Sequence, residues 1–335
     1  MTTQRMISRR AFLKGAVACA AISSASMAGC SSSDGDETLS CIVGTMPTED
    51  ILPLWVAEQE GLFASAGIDV TIESFDSASA LSSAITAGEV DVAMTDVMRS
   101  VKLCASGTMV SLEWVTLGTE AEQGRFGVLT SADSGYTELA DLVGCTLGVG
   151  VASNTVPEYV FDKLCEQAGI DPSTIATSEV ASLPSRYTLV STGALDAAAL
   201  PGSMLALGEA EGLVVLADDT TGDNISQSVM VAREAFRDES AAAIEALRGV
   251  WDEAVELLDA HPESYRTLLI ENANISDEVA DSYPISSYPY ATTDDGAAAY
   301  PAGELVEPQL AWMEEKGYTS ASASYDEETG CFTIA

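Results

Sequence analysis

Two stretches of this chain repeat one plan, and that repeat limits its fold more than any other feature. From Leu39 onward short β-type runs alternate with helical patterns, the signature of α/β layering. The first stretch reads as a strand over 39–44, a loop over 45–50, an amphipathic helix over 51–60, a strand over 70–73, a helix ending at Gly88, and a strand entered through Glu89-Val90-Asp91-Val92-Ala93-Met94. The second reads as a strand over 146–151, a loop, a helix ending in Ala168-Gly169-Ile170-Asp171, a strand near 177–180, and a helix following Ser182-Leu183-Pro184. That helix closes at Gly193-Ala194-Leu195-Asp196-Ala197-Ala198, which matches Gly88 to Ala93 at an offset of 105. Matches that recur in the same order predict two α/β lobes of similar build.

In such a series the loops at the carboxyl ends of the strands gather on one edge of each sheet, where ligands bind. Two lobes with facing edges enclose a cleft. The strand-like segments 126–130 and 228–232 stand where the chain must pass between lobes. Lobe one is therefore expected to comprise 39–125 and 233–335, and lobe two 126–232. A length of 335 residues suits two domains. Beyond the second crossing, Ile244, Leu247, Trp251, Val255 and Leu258 form one stripe at helical spacing, which assigns Trp251 to a core.

The first 29 residues carry four basic groups and no acid, in a chain that is otherwise strongly acidic. Such a shift marks a targeting segment. Ser8-Arg9-Arg10-Ala11-Phe12-Leu13-Lys14 followed by a small-residue apolar run resembles a twin-arginine export signal, with Arg9 and Arg10 as its pair. Met27-Ala28-Gly29-Cys30 resembles a lipobox, with Cys30 the residue lipidated after cleavage and Met27 where leucine is usual. The apolar run is shorter than the roughly 20 residues a spanning helix needs. Residues 30–38 read as a polar tether.

Over the whole chain 14 basic residues face 52 acidic ones, a formal charge of −38. Without residues 1–29 the balance is 10 against 52, or −42. So acidic a surface repels phosphate and excludes nucleic acid as a partner. The single histidine, His261, lies before Pro262 and reads as a joint between helices, which leaves no second imidazole for a metal site or a triad. Neither a metal nor a cofactor is expected. Five cysteines remain beyond Cys30: Cys41, Cys104, Cys145, Cys165 and Cys331, with no C-x-x-C among them. Cys145 and Cys165 stand where they could meet as a disulfide at one sheet edge; buried free thiols are the alternative.

Pro53-Leu54-Trp55-Val56-Ala57-Glu58-Gln59-Glu60-Gly61-Leu62-Phe63, then Ala66-Gly67-Ile68-Asp69-Val70, then Ala87-Gly88-Glu89-Val90-Asp91-Val92-Ala93 resemble the extracytoplasmic solute-binding proteins of the nitrate, sulfonate, taurine and thiamine-precursor type. The likeness runs over roughly residues 40 to 235 and includes Leu142-Val143-Gly144-Cys145-Thr146-Leu147-Gly148-Val149, where the family usually has Lys at Cys145. It implies a type II periplasmic-binding-protein-like fold, two α/β lobes joined by two crossovers. It also implies a monomer that delivers a small molecule to an ABC-transporter permease, and so indirectly to its ATPase. Together with the lipobox, this places the protein on the outer face of the cytoplasmic membrane, held by lipid.

Carried over by position, the family's cleft falls in lobe one on Met46, Pro47, Thr48, Glu49 and Asp50, on Asp76 and Ser77, on Thr95 and Asp96, and on Thr119 and Glu120. In lobe two it falls on Ser153, Asn154 and Thr155, on Leu183, Pro184 and Arg186, and on Pro201, Gly202 and Ser203. Ser153 and Asn154 are equally suited to plain helix capping. These loops carry many carboxylates and few bases, which favours a neutral or amine-bearing ligand, such as a pyrimidine, over a bare oxyanion. Two alternatives remain. One is an exported enzyme using Asp76 and Asp96 as acid and base; the other is a ligand-sensing receptor subunit.

Overall fold

The computed structural model describes residues 39–119, 125–150, 156–220, 227–273, 275–319 and 322–335. The export motif, Cys30 and the tether lie outside the described residues. Among the described residues, no helix is long and apolar enough to cross a membrane. Twelve strands of the described residues form two sheets: β1 (Leu39–Thr45), β2 (Ile68–Ser74), β3 (Val92–Thr95), β4 (Val110–Leu117), β5 (Phe126–Thr130), β6 (Thr146–Val149), β7 (Ala176–Glu179), β8 (Ala197–Pro201), β9 (Val214–Asp218), β10 (Ser228–Arg233), β11 (Ala323–Asp326) and β12 (Cys331–Ile334). The first sheet runs β11-β12-β4-β10-β3-β1-β2 and the second β7-β6-β8-β5-β9.

The repeat seen in the sequence is a repeat of topology. In the first sheet β1 pairs in parallel with both β2 and β3, and β3 pairs antiparallel with β10. In the second, β6 pairs in parallel with both β7 and β8, and β8 pairs antiparallel with β5. Single residues repeat as well. Asp91 Oδ2 accepts a hydrogen bond from the Ile42 N–H of β1 at 3.0 Å, and Asp196 Oδ2 accepts one from the Thr146 N–H of β6 at 2.8 Å. Each aspartate thus satisfies a strand N–H that the sheet ladder leaves open. Gly44 and Gly148 occupy equivalent places, pairing with Ala93 and Ala198. A Cβ on Gly44 would lie 2.5 Å from Leu81 Cδ1, and one on Gly148 2.6 Å from Leu195 Cδ1. At both places a neighbouring leucine side chain closes over the strand where a larger residue would crowd it.

One sequence expectation needs correction. Segment 228–232 does not span the gap between lobes; it is the body of β10, bonded between β3 and β4 in the first sheet. The passages between sheets lie earlier, between Leu117 and Phe126 and between Asp218 and Ser228. A strand-like run needs ladder partners for its N–H and C=O groups, and β10 finds them in lobe one. Segment 126–130 is likewise a full strand, β5, inside the second sheet.

Lobe one holds most of the apolar interior. The helix Ala241–Ala260 packs on the helix Leu52–Glu60 and buries Ile244, Leu247, Trp251, Val255 and Leu258, as the spacing predicts. Each such side chain contributes about 1.5–3 kcal/mol on removal from water. The hairpin β11–β12, which the sequence reading did not anticipate, extends this sheet beyond β4. It is fastened through Arg237, whose guanidinium donates to Thr329 O at 2.7 Å and to Tyr300 Oη at 2.6 Å. A second seam joins the lobes: Trp312 Nε1 on the helix Gly303–Glu315 donates to Asp162 Oδ2 at 2.9 Å, and Tyr159 packs edge-on against Trp312 at 5.3 Å. Tyr159 and Asp162 belong to the helix Val156–Ala168 beside the second sheet.

All five described cysteines are free, so Cys145 and Cys165 are not joined. Cys165 is buried in the helix Val156–Ala168, where burial pushes its thiol up to about 12, while Cys145 Sγ lies 3.2 Å from Tyr136 Oη.

Candidate functional site

The carboxyl ends of β1, β2, β3, β6, β7 and β8 all open onto one cleft. From lobe one it is lined by Met46, Thr48, Glu49 and Asp50 after β1, by Ser77, Ala78, Ser79 and Leu81 after β2, and by Met94, Thr95, Asp96 and Arg99 at the end of β3. Lobe two contributes Gly150, Val156 and Pro157 after β6, Ala181, Leu183 and Arg186 after β7, and Pro201 at the end of β8. Leu117, Arg125, Phe126, Gln227 and Ser228 flank the two passages between lobes and complete the wall.

Several helices begin at this wall. Ser77 caps the helix Ala78–Ala87 by accepting from Ala80 N at 3.3 Å, and Asp96 caps the helix Val97–Ala105 by accepting from Arg99 N at 2.7 Å. Ser182 caps the helix Leu183–Ser191 in the same way. Helix N-termini direct partial positive charge and open N–H groups at whatever fills the cleft.

The charged groups of the wall differ in how far they are already engaged. Asp96 spends an oxygen on its cap and is raised by burial, an effect the Arg99 charge opposes. Asp50 Oδ1 accepts from Ser228 Oγ. Arg125 donates to Asp218 at 2.7 Å and to Glu209 at 2.8 Å. Arg186, only 2% exposed, donates from Nε to Val180 O at 3.1 Å and from Nη1 to Ala199 O at 2.6 Å. Its burial, with no carboxylate bonded to it, depresses its pKa to about 10.

Among the described residues, three on the cleft keep a buried polar atom with no hydrogen-bond partner: Thr48 Oγ1, Glu49 Oε2 and Arg99 Nε. Buried polar atoms are nearly always paired, so unpaired ones gathered on a cleft mark where a ligand would bond. Glu49 is 6% exposed, and its Oε1 accepts from Tyr283 Oη at 2.5 Å. Burial first, and then the neighbouring Asp50 charge, raise its carboxyl to about 7 despite that bond.

A family model described as NMT1/THI5 like matches residues 48–265. The chain belongs to that family. No curated protein sequence matches it significantly. Solved structures share the fold at low sequence identity. The alkanesulfonate-binding protein of Xanthomonas axonopodis pv. citri bound to MOPS has a TM-score of 0.68 at 14% identity, over 84% of this chain and 93% of that one. The periplasmic nitrate-binding protein of Synechocystis PCC 6803 has a TM-score of 0.68 at 15% identity, over 85% of this chain and 83% of that one. A Candida albicans gene product described as exhibiting the generic periplasmic binding protein fold has a TM-score of 0.66 at 13% identity, over 84% of this chain and 92% of that one. The NMT1/THI5-like chain therefore has the two-lobed fold that its sequence predicts.

Of the expected site residues, the structure brings together Met46, Thr48, Glu49, Asp50, Ser77, Thr95, Asp96, Leu183, Arg186 and Pro201. Pro47, Asp76, Thr119 and Pro184 do not line the cleft. Asp76, Thr119 and Pro184 are exposed, and Pro184 sits on the first turn of its helix, rotated to solvent beside the inward Leu183. Pro47 is half-buried at the centre of a tight turn, in which the Thr48 N–H donates to Met46 O at 2.8 Å. Gly202 and Ser203 are buried behind Pro201 and do not line the cleft. Ser153, Asn154, Thr155 and Glu120 lie outside the described residues. His261 is exposed at the end of the helix Ala241–Ala260, where the sequence placed it.

The sequence reading missed Arg99, Arg125, Gln227 and Ser228. Arg99 lies one turn beyond the cap Asp96, and that spacing was a usable signal. Gln227 and Ser228 reach the cleft only because β10 returns to lobe one.

Proposed function

We propose that this chain is the ligand-capturing subunit of an ABC importer, a monomer that closes its two lobes on a small polar molecule and presents the closed form to a permease. The observation that carries this reading is the set of unpartnered buried atoms on a cleft shared by both sheets: an acceptor on Glu49 and a donor on Arg99. The complementary ligand offers a hydrogen-bond donor to Glu49 and an acceptor to Arg99. An amine-bearing heterocycle such as an aminopyrimidine has both. Contact with both lobes would favour the closed state, because only differential affinity shifts such an equilibrium.

A second reading, a sulfonate or nitrate ligand, is favoured by the helix N-termini at the wall and by Arg99 and Arg186, neither of which bonds a carboxylate through its side chain among the described residues. Thermal unfolding with aminopyrimidines, alkanesulfonates, nitrate and amino acids, each in excess, separates the two. A true ligand at a hundredfold excess over Kd adds about 2.7 kcal/mol of stability. If no compound in any class moves the melting temperature, the binding reading falls. Turnover of a compound by the purified protein would favour the exported enzyme instead.

The export signal and the lipid on Cys30 form part of the same proposal. Cys30→Ala is expected to release the protein from the membrane fraction and to abolish labelling by a fatty-acid probe.

A further inference from the structure

The sequence reading assigned the cleft to loops at the strand ends, and none of those loops contains the residue that grips Glu49. Tyr283 follows the short helix Asp277–Ala280, far along the chain, and is itself buried. Its Oη donates to Glu49 Oε1 at 2.5 Å, so Oε1 is engaged while Oε2 has no partner. The main chain at Tyr283 is fixed in turn, since Arg266 Nη1 donates to Tyr283 O at 2.6 Å. Tyr288 Oη, from the same segment, donates to the main-chain oxygen of Glu49 at 2.9 Å, which fixes the loop that carries the carboxyl. The hydroxyl of Tyr283 also reaches lobe two. A Cβ on Gly202, the first residue of the helix Gly202–Ala210, would lie 3.0 Å from it, so this helix starts close against the tyrosine.

We infer that Tyr283 is a positioning residue of the cleft: it holds one oxygen of the Glu49 carboxyl and leaves the other for a hydrogen-bond donor on the ligand, at the point where lobe two meets lobe one. The inference rests on the binding reading above and adds to it the group that orients the recognising carboxyl. A hydroxyl anchored by packing and by its own main-chain bonds fixes a neighbouring group at little cost in entropy when ligand arrives. The titratable groups that bear on Glu49 are Asp50 on its own loop and Tyr283 and Tyr288 from the packed segment. The Asp50 charge favours the protonated carboxyl, and the Tyr283 hydrogen bond favours the ionised one.

The test compares full-length wild type with Tyr283→Phe, Tyr288→Phe and Glu49→Gln. In ligand-free protein, the carboxyl band of Glu49 is followed by infrared titration and identified by its loss in Glu49→Gln. Tyr283→Phe is expected to move the midpoint upward by about one pH unit, whereas Tyr288→Phe, which removes a bond to the main chain only, moves it less. An unmoved midpoint in folded Tyr283→Phe overturns the inference. Affinity for 4-aminopyrimidine at pH 8 is then expected to fall about tenfold in Tyr283→Phe. Unchanged affinity, with clear binding by wild type, also overturns it. If wild type does not bind the probe but the infrared midpoint moves, the positioning stands and the ligand reading fails, so the two can be told apart.

Discussion

Leu81 and Arg186 occupy the same place in two lobes built on one plan. Both lie on the helix that follows the second strand of the repeat, 105 residues apart, and both line the cleft. Leu81 packs over Gly44 and Arg186 over Gly148, with its Cγ 3.4 Å from where a Cβ would be. Lobe one thus fills the position with an apolar side chain 1% exposed, and lobe two fills it with a buried cation whose bonds run to two backbone carbonyls. Burying a guanidinium is costly unless it is paired, and here its pKa is pulled down to about 10. The repeat shows that leucine suffices for folding at this position, so the arginine calls for another reason. An acceptor on a ligand, as in the sulfonate or nitrate reading, would supply one.

Exchanging residues between the lobes is the strongest way to break this comparison. Leu81→Arg puts a charge where lobe one has not arranged carbonyls to receive it, and should cost about 4 kcal/mol of unfolding free energy in urea denaturation. A loss below about 1 kcal/mol would show the two sites to be interchangeable.

Glu49 gives the next largest effect, through pH. Its native carboxyl titrates near 7, above the usual 4.5, so the native state binds the proton more tightly than the unfolded chain. The stability it contributes is full below about pH 4.5 and is lost as pH rises through 7, on the order of 3 kcal/mol. Melting temperature of ligand-free protein should therefore fall more steeply between pH 5 and 8 in wild type than in Glu49→Gln. Parallel curves would remove the buried carboxyl from the account.

Arg186→Leu, which copies lobe one into lobe two, should leave stability within about 1.5 kcal/mol of wild type. Ligand affinity should nevertheless fall about a hundredfold, as expected for the loss of a charged hydrogen bond in a dry site. Calorimetry that finds equal affinity would confine Arg186 to the scaffold.

The smallest effects concern the paired aspartates. Asp196→Ala and Asp91→Ala each leave a strand N–H unpaired, at about 1–2 kcal/mol. Asp91→Ala should cost more, because Arg233 Nη2, 2.6 Å from Asp91 Oδ1, loses its carboxylate as well. The reverse order in chemical denaturation would mean that the ion pair adds nothing.

Much of this was legible in the residues. The repeat ending in Gly88 and Gly193 placed the strands, the helix ends and the edge where the cleft opens. The reason is local: both glycines take left-handed backbone, and Asp91 and Asp196 satisfy adjacent strands. Ser77 and Asp96, expected on the cleft, line it and also cap their helices. The assignment of β10 was not readable, because a strand-like run does not state which sheet will complete its ladder. Nor was Tyr283, which meets Glu49 across 234 positions of chain through an irregular segment with no periodicity. The weight given to cleft carboxylates also changed: Asp50 and Asp96 each have an oxygen engaged within the protein, while Glu49 keeps a buried oxygen with no partner among the described residues.

Hydrogen exchange, read with and without the compound that most raises the melting temperature, tests the central claim most directly. Capture between the lobes predicts simultaneous protection of the Glu49 loop after β1 and of the start of the helix Leu183–Ser191 in lobe two, with exchange elsewhere little changed. Protection confined to one lobe, or none at either cleft edge, would contradict a ligand held by both.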